Sequence, residues 1–136
     1  RRFVMTKDGV KVLINGFDWA WPQAVRQIFK DRCVELLMVK RPDEAINVIQ
    51  QRRIHTAIVD MDSKMLSGLT MIKIIRSSFP VLPCILLTEE AEQKLLSDAL
   101  ELDVFSVMNK PVDIALLQTQ LHRLFVKRYN NYVFNS

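Results

Sequence analysis

The feature that most constrains this chain is a regular alternation of short apolar runs with amphipathic stretches, repeated five times. The apolar runs are five to seven residues long and rich in Val, Ile and Leu, as strands buried on both faces are. Strands are predicted at residues 10–14, 33–39, 56–60, 83–88 and 104–108. Stretches with helical periodicity follow at residues 21–31, 42–53, 67–79, 89–102 and 111–129. This order predicts a doubly wound α/β fold with a five-stranded parallel sheet and right-handed crossovers.

Length and composition agree with one globular domain. The chain has 136 residues, 49% of them apolar and 25% charged, which is enough for a core without disulfides or metal. It contains neither an apolar run of the roughly 18 residues that a membrane span needs nor a signal-peptide pattern. We expect an N-terminal arm or cloning remnant over residues 1–9, one domain over 10–129, and a tail or linker start over 130–136. We also expect a cytoplasmic location, with Cys33 and Cys84 as buried free thiols.

Charge and motifs narrow the classes of function. The net charge of +4 is spread over several helices, and nucleic-acid binding through them stays open as a weaker alternative. The three glycines form neither a G-x-G-x-x-G nor a G-K-[ST] loop, which argues against a dinucleotide or ATP site. His55 and His122 lack a partner at metal-ligand spacing, and we interpret both as surface or boundary residues.

Polar residues follow four of the five predicted strands. The carboxyl ends of parallel strands meet at one edge of the sheet, where ligands bind in this architecture, so these residues are expected to converge. The residues with useful chemistry are Asp18 after the first strand, Asp60 and Asp62 after the third, Thr88 and Glu89 after the fourth, and Lys110 after the fifth. An acid, a hydroxyl and an ammonium are therefore predicted to meet at this edge.

This set resembles the receiver domain of two-component response regulators over roughly residues 10–129. The resemblance rests on "AIVD" ending in Asp60, "ILLT" ending in Thr88 and "NKP" containing Lys110, with Gly68 eight residues after Asp60. It implies a flavodoxin-like (βα)₅ fold with strand order 2-1-3-4-5. It also implies that Asp60 is the phosphoacceptor and that Thr88 and Lys110 bind the phosphoryl group. Such a domain is a signalling module, not a classical enzyme, and at most catalyses its own phosphotransfer and dephosphorylation.

The resemblance also implies the chemistry and the partners. A carboxylate attacks the phosphorus of a phosphohistidine and forms an acyl phosphate, while Mg²⁺ held by acids, the lysine and the threonine neutralise the phosphoryl oxygens. The donor would be a histidine kinase or a phosphotransfer protein, and an output domain would follow Ser136. We expect this domain to belong to a bacterial response regulator. Members of the family often pair through the fourth helix, the fifth strand and the fifth helix, so a homodimer is expected there.

The end of the first strand departs from the family pattern. Gly16 and Phe17 stand where the family has the two acids that hold Mg²⁺, and neither side chain can ligate a metal. Asp18 is either a substitute ligand beside Asp60 and Asp62 or the N-cap of the next helix, and we favour the cap. The sequence therefore predicts a degenerate Mg²⁺ site.

Two further positions differ from the family. Glu89 replaces a small residue after Thr88, so its carboxylate is expected to cover Asp60 or to act as an acid near the metal. Val107 replaces the switch aromatic, and valine cannot make that ring movement. Two functions stay open: a receiver that accepts a phosphoryl group on Asp60, and a pseudo-receiver that keeps the fold as a phosphorylation-independent interaction module.

Overall fold

The computed structural model describes residues 9–16, 26, 28–29 and 32–135. One parallel sheet is built from β1 (Val10–Asn15), β2 (Val34–Val39), β3 (Thr56–Asp60), β4 (Cys84–Thr88) and β5 (Ser106–Asn109). The strand order is β2-β1-β3-β4-β5, and each neighbouring pair is parallel. The predicted fold class and strand order are confirmed.

Helices follow the strands and cover the sheet. They are α1 (Pro42–Gln51), α2 (Gly68–Ser78), α3 (Gln93–Glu101) and α4 (Ile114–Tyr129). The helix predicted at residues 21–31 falls largely outside the described residues, although Arg26, Ile28 and Phe29 are helical. No helix in the described part of the chain is long and apolar enough to cross a membrane.

The last two helices begin later than the sequence predicts. Helix α4 starts at residue 114 rather than 111, because the Asp113 side chain accepts a hydrogen bond from the backbone N–H of Leu116 at 3.0 Å and caps the helix. Helix α3 starts at residue 93 rather than 89. The Thr88 hydroxyl donates to the carbonyl oxygen of Glu90 at 3.1 Å, and this contact holds the intervening residues in a loop.

Two apolar clusters, one on each face of the sheet, form the core. The first lies against α1, α2 and α3, and the second against α4. Strand β3 shows the division, since Ala57 and Val59 belong to the first cluster and Ile58 to the second. All residues of β3 and β4 are buried, as expected of central strands in a parallel sheet.

The chain returns to the core after α4. Phe134 is 1% exposed and meets the rings of Phe29 and Phe125 at centroid distances of 6.0 and 5.0 Å. The Gln118 side chain also donates to the carbonyl oxygen of Phe134 at 3.3 Å. Apolar packing thus extends past the predicted end of the domain at residue 129, while the boundary itself stays a prediction.

Two expectations about burial are wrong. Cys33 is exposed, because it lies in the turn before β2 with a φ of 56°, and of the two thiols only Cys84 is buried. His55 is 5% exposed rather than on the surface. Its Nδ1 accepts a hydrogen bond from the backbone N–H of Lys11 at 3.1 Å, and its carbonyl oxygen accepts one from the Tyr129 hydroxyl. The end of α4 therefore covers this histidine.

Candidate functional site

A buried ion pair forms the centre of the candidate site at the carboxyl edge of the sheet. Asp60 is the last residue of β3, and its side chain is 0% exposed. Lys110 follows β5, and its Nζ lies 2.8 Å from Asp60 Oδ1 and 3.1 Å from Asp62 Oδ2. Because β4 lies between β3 and β5, the lysine side chain spans the end of β4. The backbone N–H of Lys110 donates to the carbonyl oxygen of Thr88 at 2.8 Å, which fixes the residue against that strand.

The loop after β3 folds around the Asp60 carboxylate. The backbone N–H of Asp62 donates to Asp60 Oδ1 at 2.9 Å. The side chain of Asp62 is 34% exposed, and its Oδ2 accepts a hydrogen bond from the backbone N–H of Glu89 at 2.8 Å. Asp62 therefore connects the loops after β3 and β4, in addition to its contact with the lysine.

Lys110 keeps its charge in this enclosed position. Burial lowers the pKa of the Lys110 ammonium, but its hydrogen bonds to Asp60 and Asp62 and their negative charges outweigh burial and raise the pKa above its ordinary value. The ammonium is therefore protonated at neutral pH. It supplies a positive charge to two carboxylates.

Two glycines bring backbone close to Asp60. A Cβ added to Gly16 would lie 2.6 Å from the Cβ and 3.2 Å from Oδ2 of Asp60, and the φ of Gly16 is +98°. At Gly68, the first residue of α2, a Cβ would lie 2.7 Å from the Cα of Met61. No side chain fits at Gly16 in this backbone, so an acid there would collide with the carboxylate it accompanies in the family.

Thr88, Glu89 and Val107 are other predicted site residues, and each side chain lies in a different environment. Thr88 is 2% exposed and its hydroxyl is directed to its own loop, where it donates to Glu90. Glu89 is exposed, and its backbone N–H, not its carboxylate, donates to the Asp62 side chain at the site. Val107 is partly buried against the core, next to Leu86 of β4.

Asn15 is a site residue whose role sequence reasoning missed. It ends β1, is 1% exposed, and its Nδ2 lies 3.4 Å from the carbonyl oxygen of Val39 and 3.5 Å from that of Lys40. Its Oδ1 is buried without a hydrogen-bond partner among the described residues. The sequence signal for this role is the asparagine at the end of a mostly apolar run, because a side-chain amide in that position needs a polar contact.

The described residues do not by themselves fit Mg²⁺. A hard divalent cation takes several oxygen ligands, and Asp60 Oδ2, buried without a partner, is one donor of the right type. Asp62 Oδ2 is already engaged in the two contacts given above, and Gly16 has no side chain to offer. In the described ranges no group of three His, Cys, Asp or Glu side chains could hold a metal. Phe17 and Asp18 lie outside these ranges.

A five-stranded parallel sheet with an acid, a hydroxyl and an amine at one edge agrees with the resemblance to a receiver domain that the sequence suggests. The family model described as the response regulator receiver domain matches residues 19–122. The chain therefore belongs to the response regulator receiver domain family of two-component signalling. The match begins beyond β1.

Solved structures share the fold. A two-component response regulator from Clostridium difficile has a TM-score of 0.76 at 20% identity, covering 90% of this chain and 99% of that chain. The signal receiver domain of an HD domain-containing protein from Pseudomonas fluorescens Pf-5 has a TM-score of 0.75 at 19% identity, covering 90% and 98%. A CheY-like receiver domain protein from Methanospirillum hungatei JF-1 has a TM-score of 0.74 at 19% identity, with the same coverage. No curated protein sequence matches the chain.

Proposed function

We propose that this receiver domain accepts a phosphoryl group on Asp60 from the phosphohistidine of a histidine kinase or phosphotransfer protein. The observation that carries the proposal is the asymmetry of the Asp60 carboxylate. Its Oδ1 is held by Lys110 at 2.8 Å and by the N–H of Asp62 at 2.9 Å, whereas Oδ2 has no partner among the described residues. One oxygen is thus fixed and the other is left as the nucleophile.

The neighbouring residues support the charge balance of such a transfer. An O–P bond forms at Asp60 Oδ2 while the P–N bond of the phosphohistidine breaks, and the histidine nitrogen keeps the electron pair. The Lys110 ammonium stays beside the new acyl phosphate and offsets its charge. Thr88 lies at the adjacent strand end, and its hydroxyl would leave the Glu90 carbonyl to donate to a phosphoryl oxygen. Because the described residues do not fit Mg²⁺, we expect this transfer to proceed without it.

A phosphoryl donor and intact-mass measurement test this proposal. The full chain is incubated with phosphoramidate or acetyl phosphate, either in EDTA or with added Mg²⁺. We expect one phosphoryl adduct under both conditions, lost in Asp60→Asn and reduced in Lys110→Met. The matched control is Asp43→Asn, because the Asp43 side chain is 72% exposed in a surface ion pair away from the site. This control should keep the adduct.

The pseudo-receiver stays the alternative function, and the observation that speaks for it is the enclosure of the same carboxylate. The Asp60 side chain is 0% exposed, and its charge is offset by Lys110 without a metal. Such a site stays in one state, and the domain then acts through its surface alone. Absence of an adduct from every donor at every Mg²⁺ concentration would reject the first function and support this second one.

For either function, we propose that the domain pairs with a second copy of itself. The surface formed by α3, β5 and α4 exposes three leucines: Leu96 at 44%, Leu100 at 78% and Leu116 at 45%. Exposed apolar side chains of this kind are typical of protein contacts. Sedimentation velocity should show a dimer that Leu100→Glu dissociates. The control Val81→Glu, at a position that is 79% exposed before β4, should leave it intact. A monomeric wild-type chain would contradict this pairing.

A further inference from the structure

A cavity lies at the edge of the sheet where the strands begin, away from Asp60. It has a volume of about 700 Å³ and is bounded by the loop that leads into β5, by the second half of α4 and by the segment that follows α4. Ser106, the first residue of β5, lines it, whereas Asp60 and Lys110 lie at the other ends of the strands. The cavity is therefore separate from the phosphoacceptor site.

The lining of this cavity is basic. Arg123, Lys127 and Arg128 line it together with one acid, Asp103. Within the described part of the chain, none of these three cations is in an ion pair. Arg123 and Lys127 are four residues apart, so they share a face of α4. Three cations against one carboxylate leave an excess of two positive charges, which favours an anionic ligand.

Two buried polar atoms in the lining lack a hydrogen-bond partner. They are Ser106 Oγ and His122 Nδ1, and both residues contribute to the cavity wall. The centroid of the His122 ring lies 5.9 Å from that of Tyr132, a lining residue that is 58% exposed. An exposed aromatic ring there is able to stack on a planar group.

We propose that this cavity binds a small phosphorylated ligand with a planar ring, of the chemical class of a mononucleotide. Its phosphate oxygens would pair with Arg123 and Lys127, because guanidinium and ammonium groups form strong charge-assisted hydrogen bonds with phosphate. Its ring would lie on Tyr132, which is 58% exposed. The volume lies within the range of small-molecule sites, roughly 300–1,000 Å³. The domain would then receive a chemical input independent of phosphoryl transfer.

Titration calorimetry of the full chain with AMP, inorganic phosphate and adenosine tests this proposal. We expect saturable binding of AMP, at least about tenfold tighter than that of phosphate or adenosine, because phosphate lacks the ring contact and adenosine lacks the charged hydrogen bonds. Tyr132→Ala should weaken AMP and leave phosphate unchanged. Asp60→Asn should bind AMP as the wild type does, because the two sites are separate.

A matched pair of double variants gives the decisive comparison. Arg123→Gln with Lys127→Gln should weaken AMP by about tenfold or more. Lys73→Gln with Lys94→Gln removes the same charge at exposed positions elsewhere and should leave the affinity unchanged. Circular dichroism melts of both variants check the fold. If the two double variants weaken AMP binding equally, net charge alone explains the effect, and the proposal is overturned. Absence of AMP binding, or AMP binding no tighter than phosphate, would overturn it as well.

Discussion

Replacing Lys110 with methionine tests whether the buried ion pair stabilises the fold. Methionine keeps the apolar stem and removes the ammonium. Asp60, 0% exposed, would then retain one hydrogen bond among the described residues, from the N–H of Asp62 at 2.9 Å. Removing one partner of a buried pair costs roughly 3–5 kcal/mol, because the other charge stays buried without compensation. Since the Asp62 N–H still compensates in part, we expect a loss of about 3 kcal/mol in the free energy of unfolding.

A double-mutant cycle with Asp60→Asn isolates the interaction. In that background Lys110 keeps a contact with Asp62 at 3.1 Å, and Asp62 is 34% exposed. A pair that solvent reaches contributes about 0.2–1 kcal/mol, so Lys110→Met should now cost about 1 kcal/mol or less. The coupling between the two substitutions is then about 2 kcal/mol, which is typical of residues in direct contact.

Urea unfolding at pH 7 in EDTA measures these values. In a separate thermal melt, Lys110→Met should lower the melting temperature by roughly 10 °C. This is the shift that a loss of about 3 kcal/mol gives in a domain of this size. The control is Lys94→Met, which breaks an exposed pair with Asp98 whose atoms are 3.4 Å apart and should change stability by less than about 0.5 kcal/mol. A cost below about 1 kcal/mol for Lys110→Met, or a coupling near zero, would refute the reasoning, because it would mean that Asp60 is compensated by something other than this lysine.

The remaining predictions concern three other positions. Gly16→Ala should lower the free energy of unfolding by about 2–4 kcal/mol, because the new Cβ would meet Asp60 and an L-residue is strained at positive φ. An unchanged free energy of unfolding in urea would contradict the close approach of Gly16 to Asp60. Burial, with nearby positive charge, holds the pKa of His55 below its ordinary value of 6.5. Its contribution to stability should be complete above pH 6.5 and be lost as the pH falls through the lowered pKa of the folded state, and His55→Asn should flatten that profile. Phe134→Ala should cost about 3–5 kcal/mol, while Tyr132→Ala, at an exposed position, should cost less than about 1 kcal/mol; similar losses would mean that the segment after α4 does not pack as described.

The sheet is predictable from the sequence because its central strands are continuous apolar runs. Strand β3 has the predicted bounds, Thr56–Asp60, and β4 differs by one residue. The first residue of a helix is harder to predict from the sequence, because local hydrogen bonds select one of several adjacent positions. The acids at Glu89 and Glu90 suit the first turn of a helix, yet the Thr88 hydroxyl bonds to Glu90 and the helix begins at Gln93.

The composition of the site is predictable in part, and its contacts are not. The order of Asp60, Thr88 and Lys110 at successive strand ends places all three at one edge. The sequence does not show that Asp62 connects two loops, because this depends on the distance from its carboxylate to the N–H of Glu89, 2.8 Å in the fold. Nor does it show that the end of α4 covers His55, because the covering residues are some seventy positions away along the chain, as the hydrogen bond from Tyr129 shows (sequence separation 74).

Gly16 at the end of β1 affects both the charge and the enclosure of the Asp60 site. Two carboxylates about 4 Å apart repel by roughly 4 kcal/mol at an effective dielectric of 20, so a site with more acids needs a cation. In this chain Gly16 instead allows the β1 backbone to approach Asp60, to a distance at which an added Cβ would be 2.6 Å from that of Asp60. Gly16→Asp should therefore not create a metal site. We expect it to lower the melting temperature in EDTA, with no recovery on addition of Mg²⁺. A recovery would show that the backbone opens to admit the acid and the ion together.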